Sequence, residues 1–420
     1  MKPLFIQWLL ALIILLLSNF NACAATLKAT AQPSQLRHVT INDELSLDIY
    51  VPKNQSNKRF PTLYVMDGQH YMFNAIGYQK ALTKGTMNVD VSPEFIVVGI
   101  NTSALNASGT RGAYLNRRSS EFIALLNEHI IPYVDKHTPS NQERYYFGWQ
   151  FAATAGLSLF NAHPRLFKGY LLASGPYYTD TQFQQLEATL KNNAALNTQF
   201  YLSLGKQELH ATDAHNTFST ILGKYPSSGV QHKYNYFDRF SIRYDHFTTV
   251  FDSFSHGLEW LFSDYPDITF YSVADIQQFG GINAVKTYYQ KRGARYKISP
   301  EVGNQAKFSM FRHAVEEDNL AFFQQLEDAV GQYEVKGWHS FFARFFAKHG
   351  LLNRAEKTYQ DALVTRPESH KIWAELADVY VQQKRHQQAL SAYQNALQFA
   401  PAGSDLAAGY AQKISNINAL

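Results

Sequence analysis

The chain contains one cysteine in 420 residues, Cys23, and only 17% of its residues are charged. A lone cysteine excludes a disulfide framework and any metal site built on a Cys pair. With 38 basic and 34 acidic residues the net charge is +4, and no dense Lys/Arg stripe is present. That gives no electrostatic footprint for nucleic acid. No His-Glu-x-x-His pattern occurs, which removes the commonest zinc-hydrolase arrangement. What the chain has in quantity is apolar and aromatic side chains: 45% hydrophobic residues, with 26 Tyr and 30 Phe. This composition suits packed domains with aromatic cores or an aromatic-lined cleft. The length predicts two or three domains.

The first residues read as an export signal. Lys2 supplies the charge, Trp8–Leu17 an apolar core, and Ala22-Cys23-Ala24 a small-x-small cleavage site. The signal is expected to span residues 1–24, and the mature protein to be exported, periplasmic and without a stable membrane span. A retained anchor is one alternative. Lipidation at Cys23 is another, although Phe20-Asn21 before it lacks the usual leucine and small residue. Cleavage after Ala24 would remove the only thiol.

Strand patterns then alternate with helical ones. Ser46–Pro52 alternates apolar and polar residues, while Phe60–Gly68 and Phe95–Ile100 are nearly continuous apolar runs. Such runs suit strands buried on both faces of a parallel sheet. Ser119–His137 has helical spacing, with Ser119 or Ser120 as the expected N-cap. Further strands are expected at RYYFG, FKGYLLASG and QFYLSLG. The alternation predicts an α/β domain over residues 36–265, a mostly parallel sheet with helices on both faces. Residues 266–336 read as a helical linker broken at Gly280-Gly281. Residues 337–420 carry an internal repeat. Trp373, Leu376, Ala377, Tyr380, Ala389, Tyr393, Ala396 and Pro401 are matched 34 residues earlier by His339, Phe342, Ala343, Phe346, Ala355, Tyr359, Ala362 and Pro367. This period resembles the tetratricopeptide repeat, with Asp405–Ile417 as a capping helix. One period further back only Phe308, Ser309 and Ala321 remain, a degenerate unit at best.

The stretch YYFGWQFAATAG, Tyr145–Gly156, is a strand followed directly by a helix. In a Gly-x-Ser-x-Gly elbow the serine would stand at its apex. Here the apex is Gln150, and the second glycine is Ala152. Together with IYVPKNQSNKRFPTLYVMDGQHYMF, FIVVGIN, FKGYLLASGPYY and DHFTTVFDSFSHGLEWLF, this stretch resembles the putative-esterase family of α/β-hydrolases, which includes enterobactin-esterase-like and esterase-D-like enzymes. The resemblance implies an α/β-hydrolase fold over about 230 residues, and it implies no cofactor. It places the nucleophile position on Gln150 and the base on His246. The acid falls on Glu208, with Asp213 as runner-up. The oxyanion donors would be the backbone N–H of Phe151 and one near Gly68-Gln69. Trp149, Tyr71, Tyr177 and Tyr178 are expected at the cleft mouth. Thr154 and Ser158, buried on the following helix, are poor replacement nucleophiles. Glu208, His210, Asp213 and His215 have metal-ligating chemistry, but a polar loop leading into a helix capped near Thr212 accounts for them without a metal.

A carboxamide has no proton whose loss yields a useful nucleophile. The favoured reading is therefore a non-catalytic pseudo-esterase that binds a small ester- or carbonyl-containing ligand. The alternatives are an active esterase using an activated water or another nucleophile, and an adaptor whose repeats hold a protein or peptide.

Overall fold

The computed structural model describes residues 36–53, 58–83, 91–237, 246–333 and 337–419. The expected signal segment and Cys23 lie outside the described residues. Eight strands form one sheet: β1 (Leu36–Thr40), β2 (Ser46–Tyr50), β3 (Phe60–Met66), β4 (Ile96–Asn101), β5 (Ser140–Trp149), β6 (Gly169–Ala173), β7 (Gln199–Gly205) and β8 (Gln231–Phe237). Their spatial order is β1-β2-β4-β3-β5-β6-β7-β8. The β1–β2 and β2–β4 pairs are antiparallel, and every pairing from β4 through β3 to β8 is parallel.

The continuous apolar runs of β3 and β4 are buried along their whole length. Their alternate residues feed two separate cores. Tyr64 and Met66 join one with the helices Phe151–Ala162, Asp180–Asn192 and Leu209–Lys224. Leu63 and Val65 join the other with Gly68–Leu82 and Thr249–Leu261. A sheet covered on both faces is the arrangement that parallel strands require. Two strands are fainter in the sequence. β8 is an edge strand with mostly exposed or half-buried polar residues, and β1 is an exposed edge hairpin arm. Neither carries the apolar run that marks a buried strand.

Two expected helix caps differ from the structure. The helical run from Ser119 begins after Arg118, whose guanidinium pairs with Glu121 at 2.7 Å; neither serine caps it, because both already lie in its first turn. A five-residue π-type segment, Leu126–Ile130, interrupts that run before Ile131–His137. The helix after β7 starts at Leu209, with Glu208 at its N-cap position, so Thr212 is an interior residue.

After Thr249–Leu261 the described chain is helical. Val273–Gln278 and Gly281–Tyr296 are separated at Gly280, which has φ 111°. The pair Asn304–Glu316 and Leu320–Val330 precedes three further units of helix. These are the hairpins His339–Lys348/Leu352–Thr365 and His370–Gln382/His386–Phe399, and then Asp405–Asn418. Ala343, Ala355, Ala377 and Ala389 have no exposed surface, which fits close helix contacts. The helical region is anchored to the sheet's far end. Arg295 pairs with Glu143 of β5 at 2.8 Å and with Asp264 at 2.6 Å, and Tyr296 packs into the core around Tyr145 and Phe262.

Candidate functional site

The site is organised around a sharp turn at the end of β5. Gln150 has φ 59° and ψ −125°, between the strand ending at Trp149 and the helix beginning at Phe151. For a residue with a Cβ this conformation costs roughly 1–3 kcal/mol and persists only where the surroundings over-determine it. They do so here. Gln150 N–H donates to Ala173 O at 3.0 Å, and Gln150 O accepts from Ala153 N–H at 2.9 Å. Gly148 permits the fold-back, since a Cβ there would lie 2.4 Å from Ala152 O. Ala152 fits fully buried, with its carbonyl accepting from Tyr146 Oη at 2.8 Å.

The turn is thus a sharp, strained strand-to-helix turn with a carboxamide at its apex. That carboxamide is held. Arg111 Nη1 donates to Gln150 Oε1 at 3.0 Å, and Arg111 Nη2 donates to Trp149 O at 3.2 Å. The same guanidinium makes a fork on Asp67, with Nε to Oδ1 at 2.7 Å and Nη2 to Oδ2 at 2.5 Å. Asp67 also accepts from Thr102 Oγ1 at 2.5 Å. Asp67 is 2% exposed and Arg111 is 7% exposed. A buried pair of this kind is sustained only by such bidentate geometry. Asp67 has φ 54° and stands ahead of the helix Gly68–Leu82, so it links one helix start to the other. Gly68 allows that crossing: a Cβ would come within 2.4 Å of Gly99 Cα.

On the opposite side His246 Nδ1 lies 2.5 Å from Glu208 Oε1. Glu208 is 3% exposed, and its other oxygen accepts from Ser174 Oγ at 2.8 Å and Gly205 N–H at 2.7 Å. Burial alone would raise the Glu208 pKa. The hydrogen bonds from His246, Gly205 and Ser174 outweigh it and hold the carboxyl below its ordinary value. A carboxylate only accepts, so the proton between the pair sits on His246 Nδ1. Trp149 positions the imidazole: its Nε1 donates to His246 O at 2.9 Å, and the two rings are 4.7 Å apart.

The structure thus brings together Gln150, Trp149 and Phe151, and it pairs His246 with Glu208. Among the described residues no hydrogen bond joins Gln150 to His246; Arg111 takes the amide oxygen instead. Trp149 spends its indole N–H on His246. The N–H groups of Phe151, Gly68 and Gln69 belong to first helical turns, where no intrahelical acceptor exists. The Gln69 side chain is locked to Thr102, accepting from its N–H at 3.0 Å and donating to its hydroxyl at 3.1 Å. Asp213 is exposed, in an outer groove with Glu187 and Lys224, away from His246. Tyr71 contacts Trp149, and Tyr177 stacks near Phe151. Tyr178 is turned inward, against Phe183, His215 and Phe218 rather than at the mouth. Thr154 Oγ1 donates to Tyr177 O at 2.9 Å, and Ser158 Oγ accepts from Gln182 at 2.8 Å.

His210 is exposed while His215 is fully buried, so the run Glu208–His215 points in several directions. No group of three metal-ligating side chains occurs among the described residues. Sequence reasoning missed Arg111, Thr102, Ser174 and the role of Asp67. Asp67 lay inside the quoted LYVMDGQ stretch, whereas nothing in GTRGAYL separates a buried arginine from a surface one.

Residues 39–228 match the family model described as Putative esterase. The resemblance seen in the sequence holds for that region. No curated protein matches. Among solved structures, the chain is similar to an IroE-like serine hydrolase from Shewanella oneidensis at 15% identity and TM-score 0.49, covering 70% of this chain and 98% of that one. It is similar to the BES protein from Bacillus cereus at 17% identity and TM-score 0.48, covering 56% and 97%. An uncharacterised protein from Capnocytophaga ochracea is 12% identical with TM-score 0.47, covering 92% and 99%.

Proposed function

We propose, from an α/β region that matches the putative-esterase family, that this protein is a pseudo-esterase: a carbonyl-binding protein on a hydrolase scaffold. The observation that carries the reading is Gln150 at the strained turn, its oxygen accepting from Arg111. A base at His246 can take a proton from a hydroxyl, but an amide is far too weak an acid to serve. Without a nucleophile the covalent route is lost, and what remains is orders of magnitude slower. The ordered His246–Glu208 pair favours one second reading, a slow hydrolase in which His246 activates water.

Fluorophosphonate labelling tests the first reading, because it needs a nucleophilic serine. The wild type should stay unlabelled, and Gln150→Ser should gain weak labelling if His246 and the Phe151 N–H are aligned. Strong labelling of the wild type would overturn it. We further propose export with cleavage after Ala24 to the periplasm, which N-terminal sequencing of the secreted protein would check. The paired hairpins from His339 to Phe399 support a tetratricopeptide-type array that holds a protein or peptide partner.

A further inference from the structure

The donors and acceptors left open around Gln150 and His246 form a pattern that an ester does not match. Arg111 is a donor only, so its bond to Gln150 fixes the amide with oxygen toward Arg111 and NH2 away from it. That NH2 has no partner among the described residues, and neither has the Phe151 N–H at the helix start. On the other side, His246 carries its proton on Nδ1 toward Glu208. In the neutral imidazole Nε2 is then an acceptor, again without a described partner. At Gln150, Phe151 and His246 the open groups are thus two donors and one acceptor, beside the first-turn N–H groups of Gly68 and Gln69. An ester offers acceptors only and would leave His246 Nε2 unpaired. A secondary amide offers a carbonyl oxygen to the donors and an N–H to the acceptor.

Charge and surface narrow the class. The Arg111 charge is matched by Asp67, and His246 faces Glu208. These four residues thus supply no uncompensated positive charge to hold an anion. The rim is aromatic: Phe247 is 63% exposed, Tyr177 60% and Phe251 49%. Phe247 lies 5.7 Å from Trp149, Tyr177 lies 6.3 Å from Phe151, and Phe251 lies 6.5 Å from Tyr71, so exposed rings stand against both chain neighbours of Gln150. Exposed rings around a polar centre favour a flat aromatic body.

We propose that the cleft selects an uncharged aromatic amide over the corresponding ester or an aromatic carboxylate. This rests on reading the cleft as a binding site. The test uses three small probes on the full-length protein: acetanilide, phenyl acetate and benzoate, titrated by ligand-observed NMR, with phenol release followed in parallel. Acetanilide should bind at least about tenfold more tightly than phenyl acetate, the scale of one hydrogen bond made or left unmade. Benzoate should bind weakest. His246→Ala should erase the amide preference, and Phe247→Ala should weaken acetanilide and phenyl acetate alike. Equal or tighter binding of phenyl acetate or benzoate, or no saturable binding by any probe, would overturn the proposal. Phenol release that disappears in His246→Ala would instead sink the pseudo-esterase reading, and an acetanilide preference would survive it.

Discussion

The α/β region and the helical region hold their polar groups in different ways. Around Gln150 one buried carboxylate, Asp67, serves Arg111 and Thr102 together, and Arg111 in turn serves Gln150 and the Trp149 carbonyl. In the helical region the ion pairs step from one hairpin to the next: Arg354 to Glu327, Arg385 to Glu356, Lys413 to Asp378. These pairs are half-buried or exposed. The first arrangement is a closed network in which every member depends on the others. The second is a chain of similar contacts, so a change in one unit should be felt mainly by its neighbours. The contrast matters for function. A closed network can hold a carboxamide at a strained turn, while a ladder can offer a surface extended along its length.

Asp67→Ala is the sharpest way to break the network. It strands a guanidinium that is 7% exposed and removes the anchor that holds Gln150. Removing one partner of a buried pair costs about 3–5 kcal/mol. Urea unfolding of the variant should show a loss of that order. A loss below about 1 kcal/mol would place the pair in the class of surface bridges such as Lys413–Asp378.

Acid should also weaken the α/β region. Burial lowers the His215 pKa from 6.5 to about 4, partly countered by its bond to Gly175 O. The folded state therefore keeps this group neutral while the unfolded chain protonates it. Its stabilising contribution is full above pH 6.5 and is lost as pH falls toward 4. Linkage puts that loss at about 3 kcal/mol. The depressed Glu208 pKa acts in the same direction at lower pH, since its stabilisation also disappears on protonation. Unfolding followed by urea between neutral and mildly acidic pH should show the α/β region weakening, and His215→Leu should flatten the slope. An unchanged slope would mean that water already reaches His215.

The same contrast explains what could be read in advance. The buried runs of β3 and β4 and the 34-residue spacing of the hairpins are regularities, and regularities survive in a single sequence. The elbow was also legible, because Gly148 and the following helix pattern are local. His246 and Glu208 were reached through the family resemblance, His246 by its place ahead of the GLEWLF helix and Glu208 by its place after the strand QFYLSLG. Arg111 was not, because its role depends on Asp67 lying across the first crossover. Tyr178 was misplaced for the same kind of reason: its neighbour Tyr177 faces out, and only the path of the chain after β6 decides which ring turns inward. β8 was missed because an edge strand needs no apolar run.

The smallest expected effect comes from the helical ladder and tests whether its small residues are there for packing. Ala377 has no exposed surface, on the first helix of the second hairpin, and Ala389 is equally buried on the other helix. Small side chains at both positions allow the two helices to lie close. Leucine at 377 adds three carbon atoms where the partner helix already sits, so rotamers or the helix axis must shift. Overpacking of this kind costs roughly 1–3 kcal/mol. Val364, 82% exposed on the preceding hairpin, supplies the control. Val364→Ala should stay within about 0.5 kcal/mol of the wild type, as surface changes do. Thermal unfolding followed by circular dichroism should therefore show a lower midpoint for Ala377→Leu alone. The cleft should be unaffected by either change, because the ladder meets the sheet through Arg295 and Tyr296 at the end away from Gln150. Equal midpoints for the two variants would show that the hairpin has slack at Ala377, and the 34-residue spacing would then lose its structural explanation.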